Sequence, residues 1–471
     1  MGAELRGANV VVVNWRDLGH RHAGGAEVYA MRIAGAFVAA GAKVTFLTAR
    51  DRGQSATDRQ DGIRVVRRGG RWTVYPLALL WLLVHRFRVD LVVDCQNGIP
   101  FFSPLAVGRR ARVVQVLHHV HDAQFKVHFP PWLAAVGQWL EGPAARRVYR
   151  RAVTVAVSTS TVDAMRARLA WRGPVHVVPN GSPPVPRDLP GRAAEPTVVC
   201  LGRLVPQKRV DRLIDAVDAL RSRVPGLRLH VVGGGPEEPA LRARAAGSDG
   251  AVSVHGHVSE AEKSALLAES WVNVTLSDGE GWGLAVVEAA GHGVPTLCHD
   301  VDGLRDSVRH GETGWLVPVG EDVTEALHRV LKELVDPAYA AETADRCRAW
   351  ASRFTWTDSG ARFTALAADL LTGADSGDWL PGMPEATVAR FAPGARPVLR
   401  WPGARVGDGW ALVEQCRPAD LLVALRAAGA RDVTVRAASA AERLHGVVVD
   451  HAERPHGVVA DHAAGTEPRP S

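Results

Sequence analysis

The chain is short of lysine. Only five of its 56 basic residues are lysine, against 50 acidic residues, and the formal net charge is +6. No lysine-rich run occurs, and no segment combines dense positive charge with regularly spaced aromatics, so a nucleic-acid partner is not expected. A modest arginine excess suits phosphorylated substrates or an anionic membrane face. Cysteine is scarce too: Cys95, Cys200, Cys298, Cys347 and Cys416 are scattered over 471 residues. Their spacing gives neither a disulfide framework nor a zinc knuckle, and three sit in apolar runs as small hydrophobes. Long hydrophobic runs are missing. The most lipophilic stretch, Trp72–Val84, has thirteen residues, short of the ~20 that span a bilayer, and reads as a buried or surface-lying helix. The first residues show no basic segment followed by a long apolar core, so no secretory signal is expected and the protein reads as cytoplasmic. With 47 glycines and 29 prolines the chain is not fibrous, and 46% hydrophobic residues suffice for globular cores. Its length predicts two or three domains.

What is present is an alternation of β-rich and helical stretches. Val10–Val13 is a continuous apolar run, followed by a glycine-containing loop and a helix around Ala26–Ala40. Lys43–Leu47, Ile63–Val66, an apolar helix near 74–86, Asp90–Val93, Val113–Leu117 and Val153–Val157 follow. Short, unalternated, Val-rich strands are expected where helices cover both faces of a parallel sheet. Pro179–Pro196 has a linker composition. A second series then begins: strands at Thr197–Leu201, Leu227–Val232, Val252–Val254 and Val272–Thr275, with helices near Val210–Arg223, Pro239–Ala246, Glu260–Glu269 and one entered at Trp282–Leu284. The pattern predicts two doubly wound α/β domains, with ligands at the carboxyl ends of their strands. Residues 320–371 read as mostly helical. Beyond a second linker, strands are expected at Trp410–Glu414, Asp432–Arg436 and Val447–Asp450, with a helix near Ala419–Ala428 and a disordered last dozen residues.

The strongest chemical signal is Ser277-Asp278-Gly279-Glu280-Gly281-Trp282-Gly283-Leu284 running on to Glu288. A strand ends, glycines free the backbone, and a helix starts, presenting N–H groups to an anion. Glu280 lies before the helix proper, so it and Glu288 suit two ends of one ligand better than a close catalytic pair. The plain alternative is a loop-solvating Glu280 and a surface Glu288. The second signal is Gly202-Arg203 through Lys208, just after a strand. A guanidinium fork and an ammonium on one such loop suit a diphosphate, though isolated bases there are as often solvated. Gly233-Gly234-Gly235-Pro236 permits close backbone approach but lacks the spacing of a dinucleotide fingerprint.

Taken together, these features resemble the retaining glycosyltransferases of the GT-B fold, family 4, over residues 8–372. Gly24-Gly25, Val178-Pro179-Asn180-Gly181, Gly202-Arg203 to Lys208, Gly233-Gly234-Gly235-Pro236, Glu280 with Glu288, and Gly311-Glu312-Thr313-Gly314-Trp315-Leu316-Val317 occur in that family's order. The resemblance implies two facing Rossmann-like domains: residues 1–187 on the acceptor side and 195–354 holding the nucleotide sugar. A terminal helix at 355–372 would cross back to the first domain, followed by a linker at 373–392 and a small α/β extension of unassigned role at 393–471. It implies transfer of a mannose- or glucose-type hexose from GDP-mannose or a UDP-hexose to a glycan, glycolipid or small glycoside acceptor, with no catalytic metal and no other cofactor. Arg203 and Lys208 would grip the diphosphate, and Glu280 the donor-sugar hydroxyls, beside the amides of Gly281, Trp282, Gly283 and Leu284. Glu288 would hold the ribose, and Gly25 would approach phosphate or acceptor. His118 looks like the family's cleft histidine, with His119 the alternative register. Arg209 stands where the family often has glycine.

The acceptor side is less explicit. Phe125 to Leu140, with Arg146-Arg147 and Arg150-Arg151 beyond, places aromatic and aliphatic groups beside bases. Such a segment suits a glycan or lipid-linked acceptor, or peripheral contact with an anionic membrane at the inner face of the plasma membrane. A core helix with solvated bases fits equally, and Pro130-Pro131 interrupts any long helix. Two other functions fit the same architecture: a nucleotide-sugar 2-epimerase and a non-catalytic sugar-nucleotide-binding protein.

Overall fold

The computed structural model describes residues 5–21, 23–173 and 175–372. Beyond these it describes 386–391, 405–407, 410–414, 421, 425, 428, 430 and 433–437. The chain divides into two compact units, Met1–Gly382 and Met383–Ser471. The first unit has two α/β lobes. In the N-lobe, β1 (Asn9–Val13), β2 (Lys43–Thr48), β3 (Thr57–Gln60), β4 (Ile63–Arg67), β5 (Leu91–Gln96), β6 (Arg112–Leu117), β7 (Val153–Ala156) and β8 (Val175–Val177) form one sheet. Its order is β3-β4-β2-β1-β5-β6-β7-β8. Every neighbouring pair is parallel except β3 with β4. The C-lobe sheet contains β9 (Thr197–Leu201), β10 (Arg228–Val232), β11 (Val252–Gly256), β12 (Val272–Thr275), β13 (Thr296–His299) and β14 (Gly314–Val317). It runs β11-β10-β9-β12-β13-β14, all parallel.

The unalternated valine runs follow from two-sided burial. Val10–Val13 and all of Val153–Ala156 are buried, as parallel strands sandwiched between helices must be. In each sheet the strand order reverses beside a central strand, β1 in one lobe and β9 in the other, and that is where parallel α/β sheets open a crevice at their carboxyl ends. The loops after β1, β6, β9 and β12 therefore converge on one region.

The stretch near 74–86 is a helix, Val74–His85, lying on the lobe surface. Val74, Ala78 and Leu82 are fully buried while Leu80, Leu83 and Val84 are exposed. Helix Asp122–His128 stops before an extended Phe129-Pro130, and a separate helix, Pro131–Trp139, follows. Proline at 130 and 131 cannot supply the N–H groups that a continuous helix needs.

After the C-lobe, helix Trp356–Thr372 packs on the N-lobe helix Gly25–Ala39. Phe363 sits edge-on to Phe37 with ring centroids 5.6 Å apart, and the Ser359 hydroxyl donates to the Pro179 carbonyl at 2.6 Å. Ser182 N–H also donates to the Phe354 carbonyl at 2.9 Å, so the two chain crossings between lobes lie side by side.

The second unit holds an antiparallel sheet of β15 (Ala386–Arg390), β16 (Arg405–Gly407), β17 (Trp410–Glu414) and β18 (Thr434–Ala437), in the order β16-β17-β15-β18. Its own core joins Ala389, Phe391, Ala411, Val413, Leu421, Leu425, Ala430 and Val433. The strand expected at Val447–Asp450, Cys416, the final residues and most of the expected 373–392 linker lie outside the described residues.

Candidate active site

Between the two lobes of the first unit lies a cavity of about 700 Å³. Its C-lobe wall is built by the loops after β9, β10, β11 and β12, and its N-lobe wall by the loops after β1, β5 and β6. All ten residues singled out in the sequence line it: Gly25, His118, Arg203, Lys208, Gly281, Trp282, Gly283, Leu284, Glu280 and Glu288. The fallback, His119, lines it as well.

On the C-lobe side, Lys208 Nζ donates to Glu280 Oε1, and the Ser277 hydroxyl donates to the same oxygen at 2.7 Å. Asp278 N–H bonds the Gln207 carbonyl at 3.0 Å, tying the two loops together. Burial alone would raise the Glu280 carboxyl; the Lys208 ammonium and the Ser277 hydroxyl outweigh it and hold the acid below its ordinary value. Glu280 is therefore an ionised carboxylate. Immediately beyond it, Gly283 at φ +92° caps helix Leu284–Gly291. The first-turn amides of a helix have no carbonyl one turn earlier to bind and carry its positive dipole end. Gly233 has φ +131°, and a Cβ there would lie 2.0 Å from the Gly202 carbonyl oxygen. The glycine run after β10 thus lets two loops close against each other beneath the cavity.

Glu288 is neither free nor a surface charge. Lys263 Nζ lies 3.4 Å from its carboxylate and 2.8 Å from that of Glu260. Burial pushes the Glu288 carboxyl up, Glu260 adds to that, and Lys263 offsets only part of it. Glu280 and Glu288 thus share one cavity but have separate partners, so they are not a coupled acid pair.

The N-lobe contributes two histidines at the end of β6. The His118 ring packs edge-on against Tyr29, with centroids 5.1 Å apart at 85°, and its Nε2 is buried without a hydrogen-bond partner in the protein. The His119 ring lies against the Gly279–Glu280 turn, where a Cβ on Gly279 would stand 3.6 Å from it. Burial, with the nearby His121, drives both imidazoles down to about 3, so both are neutral at physiological pH. At the start of helix Gly25–Ala39, Glu27 reaches back to accept from the Gly24 N–H at 2.7 Å. Burial raises its carboxyl, opposed by Arg16 at 3.8 Å and by the Gly24 bond. The lobes approach closely: a Cβ on Gly281 would stand 2.1 Å from the His118 carbonyl oxygen. The Asp306 carboxylate accepts from the Ser160 N–H at 3.0 Å and from the Thr159 hydroxyl.

Sequence reasoning gave no role to Arg16, Glu27 or Lys263, which also line the cavity. Glu27 carried a local signal, an acid three residues after a glycine at a helix start. Lys263 carried none, because the partner that matters lies on another helix. A second cavity of about 530 Å³ shares His119, Gln124, Gln207 and Gly279 with the first. Among the described residues, no group of three His, Cys, Asp or Glu side chains is placed to hold a metal ion, and no helix is long and apolar enough to cross a membrane.

Residues 23–184 match the family profile Glycosyltransferase Family 4, and residues 195–336 match Glycosyl transferases group 1. The chain belongs to the group 1, family 4 glycosyltransferases. Within this family it is 35% identical over 191 residues to a GDP-mannose-dependent alpha-(1-6)-phosphatidylinositol monomannoside mannosyltransferase of Mycobacterium tuberculosis. That match takes in 38% of this chain and 48% of the relative, so the chain spans about half the length of that curated relative. It is 29% identical over 352 residues to the GDP-mannose:cellobiosyl-diphosphopolyprenol alpha-mannosyltransferase of Komagataeibacter xylinus, covering 70% of this chain and 82% of that one. The solved sucrose-phosphate synthase of Thermosynechococcus elongatus aligns at a TM-score of 0.66 with 20% identity, over 78% of this chain and all of that one. The two facing lobes are the GT-B fold.

Proposed function

We propose that this glycosyltransferase-family protein is a retaining mannosyltransferase that carries mannose from GDP-mannose to a lipid-linked glycan acceptor. The observation that carries the proposal is the arrangement across the cleft. Lys208, Arg203 and the amide-rich turn before helix Leu284–Gly291 line one wall, and the neutral imidazole of His118 lines the other. Breaking the sugar–phosphate bond builds positive charge at the anomeric carbon and negative charge on the departing GDP. Arginine, lysine and helix-terminal amides stabilise that leaving group more as its charge grows, which is what lowers a barrier. The ionised Glu280 accepts hydrogen bonds from donor-sugar hydroxyls, and His118 binds a sugar hydroxyl as a neutral group. In a front-face route the acceptor oxygen bonds to the anomeric carbon on the side the phosphate leaves. The departing phosphate oxygen takes the acceptor's proton, so configuration is retained and no enzymic nucleophile is needed.

The choice of GDP draws on Glu260 as well as on the two mannosyltransferase relatives. Its carboxylate is 80% exposed, lines the cavity and, among the described residues, pairs with Lys263. An exposed pair of this kind is held weakly and is readily exchanged. Guanine offers adjacent N1–H and N2–H donors to a carboxylate, whereas uracil flanks its single N–H with carbonyl oxygens that repel one. Phosphatidylinositol- and polyprenol-linked acceptors in the relatives' names support a lipid-linked acceptor. Calorimetry with GDP and UDP, beside transfer from their sugars, tests this. GDP should bind more tightly than UDP, and Glu260→Gln should cost GDP alone roughly 5- to 150-fold, the value of one bidentate base contact. Equal or tighter binding of UDP would overturn the donor assignment.

A further inference from the structure

The N-lobe carries an outward apolar face that its own core does not use. On helix Val74–His85 and just beyond it, Leu77, Leu80, Val84 and Phe87 are exposed at spacings of three, four and three residues, a stripe along one side. Val74, Ala78 and Leu82 bury the opposite side. A helix that is apolar all round belongs in a core or against lipid, and this one lies at the surface. Helix Pro131–Trp139 repeats the arrangement. Trp132, Val136 and Trp139 point outward at spacings of four and three, with Ala134 and Gly137 buried beneath. The Trp72 and Phe129 rings meet 6.1 Å apart and join the entries of the two helices. Phe87 is 85% exposed and Trp132 70%, which is costly in water for side chains of this size.

Within the two exposed segments the charge has one sign, with Asp90, the Arg168-paired Asp122 and the buried Glu141 just outside them. Residues 71–89 contain Arg71, Arg86 and Arg88 and no acid; residues 123–140 contain Lys126 and no acid. The Arg71 and Arg86 guanidinium groups lie over the Trp72 and Phe87 rings at 4.9 and 4.6 Å from their centroids, placing cations beside the apolar groups. Apolar wedges flanked by arginine and lysine are the chemistry of an interfacial segment that sinks into acyl chains while its bases meet anionic headgroups.

We propose that helices Val74–His85 and Pro131–Trp139 together dock this protein on an anionic lipid bilayer. The docked face reaches the cleft by a short route. Helix Asp122–His128 packs against Pro131–Trp139, so closely that a Cβ on Gly137 would lie 2.9 Å from the Phe125 ring. The same helix places Gln124 in the wall of the active-site cavity. If the acceptor is lipid-linked, as the functional reading holds, its sugar enters the cleft from a bilayer that the enzyme already touches; the docking face itself does not depend on that reading.

Flotation of the full chain with vesicles that contain neither donor nor acceptor tests docking independently of transfer. At 100 mM salt the protein should float with vesicles of equimolar phosphatidylcholine and phosphatidylglycerol at least tenfold more than with phosphatidylcholine alone. Leu80→Asp combined with Trp132→Asp should abolish flotation while the thermal melt stays cooperative. Arg86→Gln with Arg88→Gln should weaken it by roughly fivefold per charge, and added salt should do the same. Failure to float with anionic vesicles, or flotation unchanged in both variants, would overturn the proposal. So would a concentration-dependent dimer dispersed by the Leu80 and Trp132 substitutions, which would assign the face to a second copy of the chain.

Discussion

Lys208 and Glu280, 72 positions apart, are joined by a direct hydrogen bond between ammonium and carboxylate. Each residue has a proposed ligand group of its own, the diphosphate for one and the donor sugar for the other. In the structure they hold each other. On the proposed reading donor binding redistributes this pair, and that distinguishes their substitutions in sign.

Glu280→Gln removes the charge that competes for Lys208. Affinity for bare GDP should hold or rise by a few-fold, while kcat falls roughly 5- to 150-fold, from about 1–3 kcal/mol of lost hydrogen bonding to the reacting sugar. Lys208→Met should instead weaken GDP binding by roughly tenfold or more. Titration calorimetry beside steady-state transfer separates the two. An equal loss of GDP affinity in both variants would show that Glu280 has no role separate from the diphosphate site.

Gly281 marks the closest approach of the lobes. A methyl group there would stand 2.1 Å from the His118 carbonyl oxygen, so Gly281→Ala must part the lobes by an ångström or more. On the proposed reading, in which the C-lobe wall holds GDP, GDP should bind with little change, whereas transfer should fall by about 100-fold, as expected when reacting groups are displaced by about 1 Å. Unimpaired transfer in Gly281→Ala would mean that the lobes need not meet at this point for catalysis.

The cleft histidines set a pH dependence of stability. Folded His118 and His119 titrate at about 3, against 6.5 for an ordinary histidine. Between those values the unfolded chain binds protons that the folded chain does not. Their contribution is complete above pH 6.5 and is lost as pH falls toward 3. By pH 5 each should have cost about 2 kcal/mol. Denaturant unfolding from pH 7 to 5 should show this decline, and His118→Gln should remove about half of the histidine share. A stability curve of the same slope in wild type and variant would mean that His118 is not held neutral by the fold.

The fold was legible where burial is two-sided. Val10–Val13, Val113–Leu117 and Thr197–Leu201 could be read as strands because helices on both faces favour apolar residues at nearly every position. Thr57–Gln60 could not. It is a polar edge strand, largely exposed, whose extended form comes from antiparallel pairing with β4. Thr296–His299 and Val175–Val177 were missed because Thr296, His299 and His176 break up their already short apolar runs. The helix near 74–86 declared its lipophilicity in the sequence, but which side faced the core had to come from packing.

The sequence by itself determined ten of the residues that line the cleft. Glycine-rich turns after strands, an arginine and a lysine on one loop, and an acid before a helix start are local patterns, and local geometry carries them to the strand ends. Tertiary structure alone decided who pairs with whom. Lys263 meets Glu288 only because the fold brings two separate C-lobe helices to the same cavity wall, and His118 meets Gly281 only because the lobes face each other. Such contacts depend on where whole elements come to rest, and neither spacing nor composition along the chain records that.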